Sequence, residues 1–272
     1  MSDLVLVSTA AGVRTLTLNL PRRLNGWTFP MMEALFGALD AAAAEDDVGA
    51  VVITGTGDYY SAGVNLSSAF QLGHPRALRA AIRAHNQELF DRFLDFPTPL
   101  LIAVNGHAIG APVTSATLCD AIVAAEGVTF STPFARLGVC PEGCSSEHFA
   151  RLMGEEAAER MLGPEGWRPT ATEALKAGLI DEVAPRDTLA ERAQALAASW
   201  VAEGRVRTFR GGAQREQLKA VNAQESELLA DAFLASPFLM GQFRFLWSRR
   251  KRGPALTFLA LRATRPAWSL LL

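Results

Sequence analysis

Pro99-Leu100-Leu101-Ile102-Ala103-Val104-Asn105-Gly106-His107-Ala108-Ile109-Gly110-Ala111-Pro112 is the stretch that decides the fold. Leu100 to Val104 is a short continuous apolar run and reads as a buried strand. Asn105-Gly106 closes it as a turn. Gly110 to Leu118 is rich in small residues, has Pro in its first turn, and reads as a helix. A buried strand followed by a helix is the unit of an α/β core.

The same alternation extends outward in both directions. Val13 to Leu20 reads as a strand ending at Pro21, and Pro30 to Ala44 as a helix. Val48 to Thr54 is a second buried strand, closed by Gly55-Thr56-Gly57-Asp58. Ala77 to Phe96 has helical spacing and stops before Pro97. Asp120 to Ala125 reads as a strand, Ser145 to Leu162 and Thr172 to Ala177 as helices, and Leu179 to Val183 as a short strand after Gly178. From Thr188 to about Arg252 only helices are expected, with breaks at Gly204, Gly211-Gly212 and Pro237. Strands separated by helices call for mostly parallel pairing. No fixed-period repeat is present. Gly253 to Leu272 has two prolines and no clear period, so a poorly ordered or partner-docked tail is expected there.

Composition bounds the function. The chain has 272 residues, of which 49% are hydrophobic and 20% charged, which excludes a disordered chain. Its 26 basic and 28 acidic residues argue against a general nucleic-acid binder. Cys119, Cys140 and Cys144 make neither a disulfide framework nor a CxxC metal or redox pair, so no metal is expected. The start, Met1-Ser2-Asp3-Leu4, has no basic and apolar leader pattern, and no apolar stretch reaches the ~20 residues of a membrane span. The terminal leucines are not a peroxisomal Ser-Lys-Leu signal. A reduced, soluble, cytoplasmic protein is the expectation. Charge is uneven: Arg244, Arg249, Arg250, Lys251, Arg252, Arg262 and Arg265 lie after Ala232 with no acid among them. A basic end on an acidic body suits contact with an anion or a neighbouring subunit, although charge runs are usually solvated.

Three segments could carry chemistry. Gly57 to Leu66 follows a buried strand, and its small residues would let backbone N–H groups approach a ligand. Asn105 to Pro112 follows another strand and opens a helix, whose unpaired N–H groups suit a developing anion. Leu137 to Ser146 is a loop entering a helix and contains Glu142. Taken singly, these read as a turn, a helix start and a solvated acid. Their combination and order carry the signal.

With Leu20 to Asn25, Ala50 to Gly55, Tyr60 to Leu66, Pro99 to Gly106 and Ala171 to Ile180 in this order, the sequence resembles the crotonase (enoyl-CoA hydratase/isomerase) superfamily over roughly Leu4 to Arg252. Gly57 to Gly63 and Ser131 through Ser146 look most like its peroxisomal-type Δ3,Δ2-enoyl-CoA isomerases. The resemblance implies an α/β fold: a ββα spiral acyl-CoA-binding core over residues 1–200, a helical trimerisation region over 201–252, and an extra tail over 253–272. It also implies a homotrimer or a dimer of trimers.

The chemistry implied is acyl-CoA isomerisation, with coenzyme A as part of the substrate and no separate cofactor. Backbone N–H groups of Val64 and Ala111 would form the oxyanion hole, and the acyl-CoA would lie against Ser61, Ala62, Gly63, Asn65, Leu66, Gly110 and Phe134. Hydratases of the family use two glutamates; those positions are Thr114 and Phe134 here. The isomerases place their base where this chain has Glu142. One carboxylate between C2 and C4 can shift a double bond from C3 to C2, and an apolar pocket around it would raise its pKa. Arg22, Arg23, Arg249 and Lys251, with Arg250 and Arg252 beside them, are candidates for the CoA phosphates. His85 and His107 are given no role. The competing readings are a ring or aromatic acyl-CoA isomerase, a hydratase, a dehalogenase-like enzyme, and a non-catalytic acyl-CoA-binding protein.

Overall fold

The computed structural model describes residues 3–64 and 73–272. The elements, in order, are β1 (Val5–Ala10), β2 (Val13–Leu18), α1 (Phe29–Ala43), β3 (Ala50–Gly55), β4 (Tyr59–Ser61), α2 (Pro75–Leu94), β5 (Leu100–Val104), β6 (His107–Ile109), α3 (Ala111–Thr117), β7 (Ala121–Ala125), β8 (Phe130–Ser131) and α4 (Phe134–Leu137). They continue with α5 (Ser145–Met153), α6 (Glu155–Leu162), α7 (Ala171–Ala177), β9 (Glu182–Ala184), α8 (Leu189–Ala202), α9 (Arg215–Phe233), α10 (Ser236–Ser248) and α11 (Arg252–Trp268).

Six strands form one sheet in the order β1-β2-β3-β5-β7-β9. The β1–β2 pair is antiparallel and every other pair is parallel. All side chains of β5 and β7 are buried, because helices cover both faces of a parallel sheet; this is why those strands read as unbroken apolar runs. A second, parallel sheet of β4-β6-β8 stands apart from it. Three times in succession the chain gives one strand to the large sheet, the next to the small sheet, and then a helix: β3-β4-α2, β5-β6-α3, β7-β8-α4. These are the ββα turns of the expected spiral.

The corner between the two strands of a turn is set by close packing. Asn105 Oδ1 accepts from the Gly55 N–H at 2.9 Å, and its Nδ2 donates to the Gly57 carbonyl at 2.9 Å. A Cβ on Gly106 would lie 2.2 Å from the Asp58 carbonyl oxygen, so only glycine lets the two corners stack.

Besides the short strands β4, β6 and β8, which were not placed from the sequence, the structure departs from the sequence expectations in four places. β1 was not expected. Its apolar start, Val5 to Val7, gives way to Ser8 and Thr9 and all of it after Val5 is exposed, so it lacks the five-residue apolar run of the inner strands. The stretch Ser145 to Leu162 is two helices, broken at Gly154, whose φ is 78°. The last strand lies at Glu182–Ala184, because Leu179 and Ile180 are buried in the turn after α7. The tail, expected to be poorly ordered or partner-docked, is helical and packs within the chain: Ala255 is fully buried, the Phe258 ring meets Phe238, and the Arg265 Nε donates to the Leu234 carbonyl at 2.8 Å. Packing against α10 overrides the weak periodicity; Pro254 lies in the helix's first turn, where its missing N–H breaks no bond, while Pro266 lies inside the helix and removes one backbone donor near its end.

The helical half is tied to the core by buried charge. Arg207 pairs with Asp120 at 2.6 Å, and Asp120 also accepts from the backbone N–H of Leu100 and Thr208. No helix among the described residues is long and apolar enough to cross a membrane.

Candidate functional site

The small sheet sets the site. Its strands are parallel, with one register shift between Tyr59 and Ser61 that brings Ser61 beside Ala108, and with Ile109 beside Ser131, so they end side by side. Beyond those ends lie Ala62-Gly63-Val64, Gly110-Ala111 and Thr132-Pro133-Phe134. Gly63 has φ 86°, and a Cβ there would stand 2.5 Å from the Ile109 carbonyl oxygen. Glycine is therefore required for the first two segments to approach. The Val64 and Ala111 N–H groups find no acceptor among the described residues. That of Ala111 is one of the N–H groups a helix start leaves unpaired.

These segments open on a cavity of about 410 Å3. Ala62, Gly63, Val64, Gly110, Ala111, Phe134 and Glu142 all line it. Ser61 corrects the expectation of substrate contact: it is fully buried, its hydroxyl donates to the Asn25 carbonyl at 2.7 Å and accepts from the Gly63 N–H at 3.2 Å. It shapes the turn and lies outside the cavity wall. Asn65 and Leu66 fall outside the described residues. Much of the rest of the wall comes from α2 and α9, through residues such as Asn86, Leu89, Phe90 and Leu229, with Phe29, Leu137 and Val139 adding to it. Sequence reasoning missed those on α2 and α9, because apolar helix residues facing a cavity look like those facing a core.

Glu142 enters from the loop between α4 and α5. Gly143 and Cys144 both have φ 65°, a sharp left-handed turn that presents the preceding side chain to the cavity. A Cβ on Gly143 would lie 2.5 Å from the Phe90 ring and 2.6 Å from the Thr114 hydroxyl. The loop thus sits directly on Thr114, which is buried and donates to the Ala111 carbonyl. A longer acid at position 114 would collide with it. Burial first, and the Glu225 carboxylate second, push the Glu142 pKa up to about 8. Glu225 is a residue the sequence reading missed. It lies on α9, is 2% exposed, and accepts from the backbone N–H groups of Cys144 at 2.6 Å and Ser146 at 2.8 Å.

The remaining candidates are spread out. Arg22 and Arg23 are exposed in the short turn before Asn25, and Arg249 and Lys251 are exposed between α10 and α11. None of the four pairs with an acid among the described residues. His107 is structural: its Nδ1 accepts from the Thr129 N–H at 3.1 Å. His85 lines the cavity against Phe29, and burial pushes its pKa down. No cluster of side chains suited to a metal occurs among the described residues.

A profile of the enoyl-CoA hydratase/isomerase family matches residues 8–251. The chain is 41% identical over 187 residues to enoyl-CoA delta isomerase 2 of Rattus norvegicus, covering 68% of this chain and 47% of the relative. It therefore spans about half the length of that relative. It is 34% identical over 197 residues to 2,3-dehydroadipyl-CoA hydratase of Escherichia coli K12, covering 72% of this chain and 75% of that protein. Among solved structures, an enoyl-CoA hydratase/isomerase of Pseudoalteromonas atlantica T6c superposes with a TM-score of 0.77 at 25% identity, covering 90% of this chain and 97% of that one.

Proposed function

The chain belongs to the enoyl-CoA hydratase/isomerase family, and on that premise we propose that it is an enoyl-CoA isomerase that moves a double bond from C3 to C2 with one glutamate base. One observation carries the reading: Glu142 is the only carboxylate among the described residues that line the cavity. The thioester oxygen sits at the Val64 and Ala111 N–H groups. Glu142 takes a proton from C2, and the electrons move onto the thioester oxygen as a dienolate. The two N–H groups stabilise the charge where it develops. The same carboxyl then returns its proton to C4, which leaves the double bond between C2 and C3. A base with a pKa near 8 is well matched to neutral operating pH.

Hydration is the rival that the relatives keep open, since hydratases are among them. The site argues against it. Thr114 is buried under Gly143, and Phe134 presents a ring to the cavity, so neither supplies the acid that orients water.

The coenzyme A phosphates fall to Arg22, Arg23, Arg249 and Lys251 in this reading, which rests on their exposure and free charge. Assembly as a homotrimer or a dimer of trimers is supported by large apolar side chains left exposed on the C-terminal helices, among them Phe245, Trp247 and Leu256. Three free thiols fit a reducing compartment such as the cytoplasm.

The test is conversion of trans-3-hexenoyl-CoA to the 2-enoyl ester, with hydration of the 2-enoyl ester followed alongside. Glu142→Gln is expected to lower the isomerisation kcat by ~10²–10⁴, the range for a lost general base. Isomerisation unchanged in that variant, or hydration faster than isomerisation in the native protein, would overturn the reading.

A further inference from the structure

The helix α5 lacks a cap of its own. Its N-cap residue, Cys144, is in the left-handed region and offers no side-chain acceptor to the first turn. Unpaired N–H groups at a helix start need acceptors. Here a carboxylate from a distant helix supplies them: the two oxygens of Glu225, 79 to 81 residues downstream, take the N–H groups of Ser146 and Cys144. We propose that Glu225 is the positioning residue of this site: its carboxylate replaces the missing cap of α5 and holds the Glu142 loop at the cavity wall. The proposal rests on Glu142 being the base.

Glu225 is itself firmly placed. On the neighbouring turns of α9, Asn222 donates to the Gln87 carbonyl and to the Asp91 carboxylate, both at 2.9 Å, and the Ser226 hydroxyl accepts from Asn86 at 3.0 Å. Towards the end of α9, Glu227 and Asp231 pair with Arg79 at 2.9 and 2.6 Å. These bonds lock α9 to α2, and α2 is the helix whose Phe90 ring lies against Gly143. The base is therefore fixed from two sides, by α2 beneath the loop and by Glu225 at its end.

The cap also carries charge. The groups facing Glu225 and its loop are Cys140, Glu142, Cys144 and Glu147 from the loop and α5, Asp91 and Asn86 from α2, and Asp231 from α9. None of these is a cation. Burial pushes the Glu225 pKa up, but two backbone N–H groups oppose this by stabilising its ionised form, and none is aimed at the Glu142 carboxyl among the described residues. Of the pair, Glu225 ionises first and Glu142 holds the last proton. Loss of the Glu225 charge would then let Glu142 ionise at lower pH, a result that a purely structural cap would not produce.

The experiment uses the full chain with Glu225→Gln, which keeps the shape and removes the charge, and Glu225→Asp, which keeps the charge and shortens the reach. Two readouts are taken. The first is the acid limb of kcat/KM for trans-3-hexenoyl-CoA. The second is the pH midpoint of the Glu142 carboxyl infrared band, read as the difference spectrum against Glu142→Gln in the same background. That second readout needs no turnover, so failure of the isomerase reading and failure of this proposal are told apart. In Glu225→Gln both the limb and the midpoint are expected to fall by about one pH unit, the scale of a removed neighbouring charge. In Glu225→Asp the midpoint is expected to stay near its native value while kcat falls on the order of tenfold to a hundredfold, the effect of a base displaced by about an ångström. A Glu225→Gln midpoint equal to the native one would overturn the proposal. If that variant does not fold, native kcat in Glu225→Asp would overturn it.

Discussion

The two sheets of this molecule are built on opposite terms. The large sheet has strands of up to six residues, buried side chains and helices on both faces, and its position follows from the hydrophobic effect. The small sheet has strands of two or three residues, and the glycines at its edges are held by backbone contacts. The large sheet carries no residue of the cavity wall, while the segments leaving the small sheet carry both candidate oxyanion donors. The difference teaches that stability and chemistry are separated here. One sheet is a packed platform, and the other is a backbone instrument mounted on it. Perturbing the two should therefore give different kinds of loss.

The sharpest test removes one backbone N–H at the cavity, with the added ring carbons as its steric cost. Ala111 is the first residue of α3, where proline's fixed φ and missing N–H are tolerated. Ala111→Pro is expected to lower kcat/KM by ~10²–10³, equivalent to about 3–4 kcal/mol of transition-state stabilisation, with the melting temperature nearly unchanged. The check is steady-state kinetics on the 3-enoyl ester beside a thermal melt. A large fall in the melting temperature with little kinetic effect would break the comparison, because it would make the small sheet a structural element like the other.

The same contrast explains what was legible in the sequence. Leu100–Val104 and Ala121–Ala125 were readable because burial on both faces leaves a continuous apolar run. β1 was not, because an edge strand exposed from Leu6 to Ala10 needs neither an alternating nor a continuous apolar pattern, and Ser8 and Thr9 end its short apolar start. Strands as short as Phe130–Ser131 hold no period at all. The site was legible where it depends on glycines after strands and on the Pro141-Glu142-Gly143 loop, whose order along the chain is distinctive. Ser61 was misassigned because a serine beside a ligand-facing loop and a serine pinning that loop look alike in sequence. Glu225 was invisible for a related reason. A glutamate on a helix with many charges reads as solvated, and only the fold shows that Asn222, Glu225, Ser226 and Leu229 form its inner face.

A smaller effect concerns what the base costs the fold. The Glu142 carboxyl keeps its proton up to about 8 in the native protein and releases it near 4.5 when unfolded. Between those values the native state binds more protons, so stability falls as pH rises through the window. The contribution is fully present below 4.5 and lost above 8. Glu142→Gln cannot ionise, so it is expected to gain on the native protein by about 2 kcal/mol at pH 9 relative to pH 4, after allowance for screening by cavity water. Denaturant melts of both proteins at the two pH values check this. A difference that does not change with pH would mean that Glu142 is an ordinary solvated acid.

The smallest effect comes from the platform. Ile102 is fully buried in β5, flanked by β3 and β7, and its neighbour in the chain leads through Asn105 to the candidate donor segment. Ile102→Val deletes one methyl group and leaves a small cavity, which costs about 0.5–1.5 kcal/mol. In a chain of this size that lowers the melting temperature by a few degrees, about 2–4 °C per kcal/mol. If the large sheet serves only as support, kcat and the acid limb of kcat/KM near pH 8 stay at their native values below the melting range. Because the methyl group lies in the strand that feeds the donor segment, this variant is a stringent form of the test. A kcat lowered tenfold or more, on the order of 1.4 kcal/mol in the barrier, would show that β5 transmits its packing to Gly110 and Ala111. The two sheets would then have to be treated as one mechanical unit.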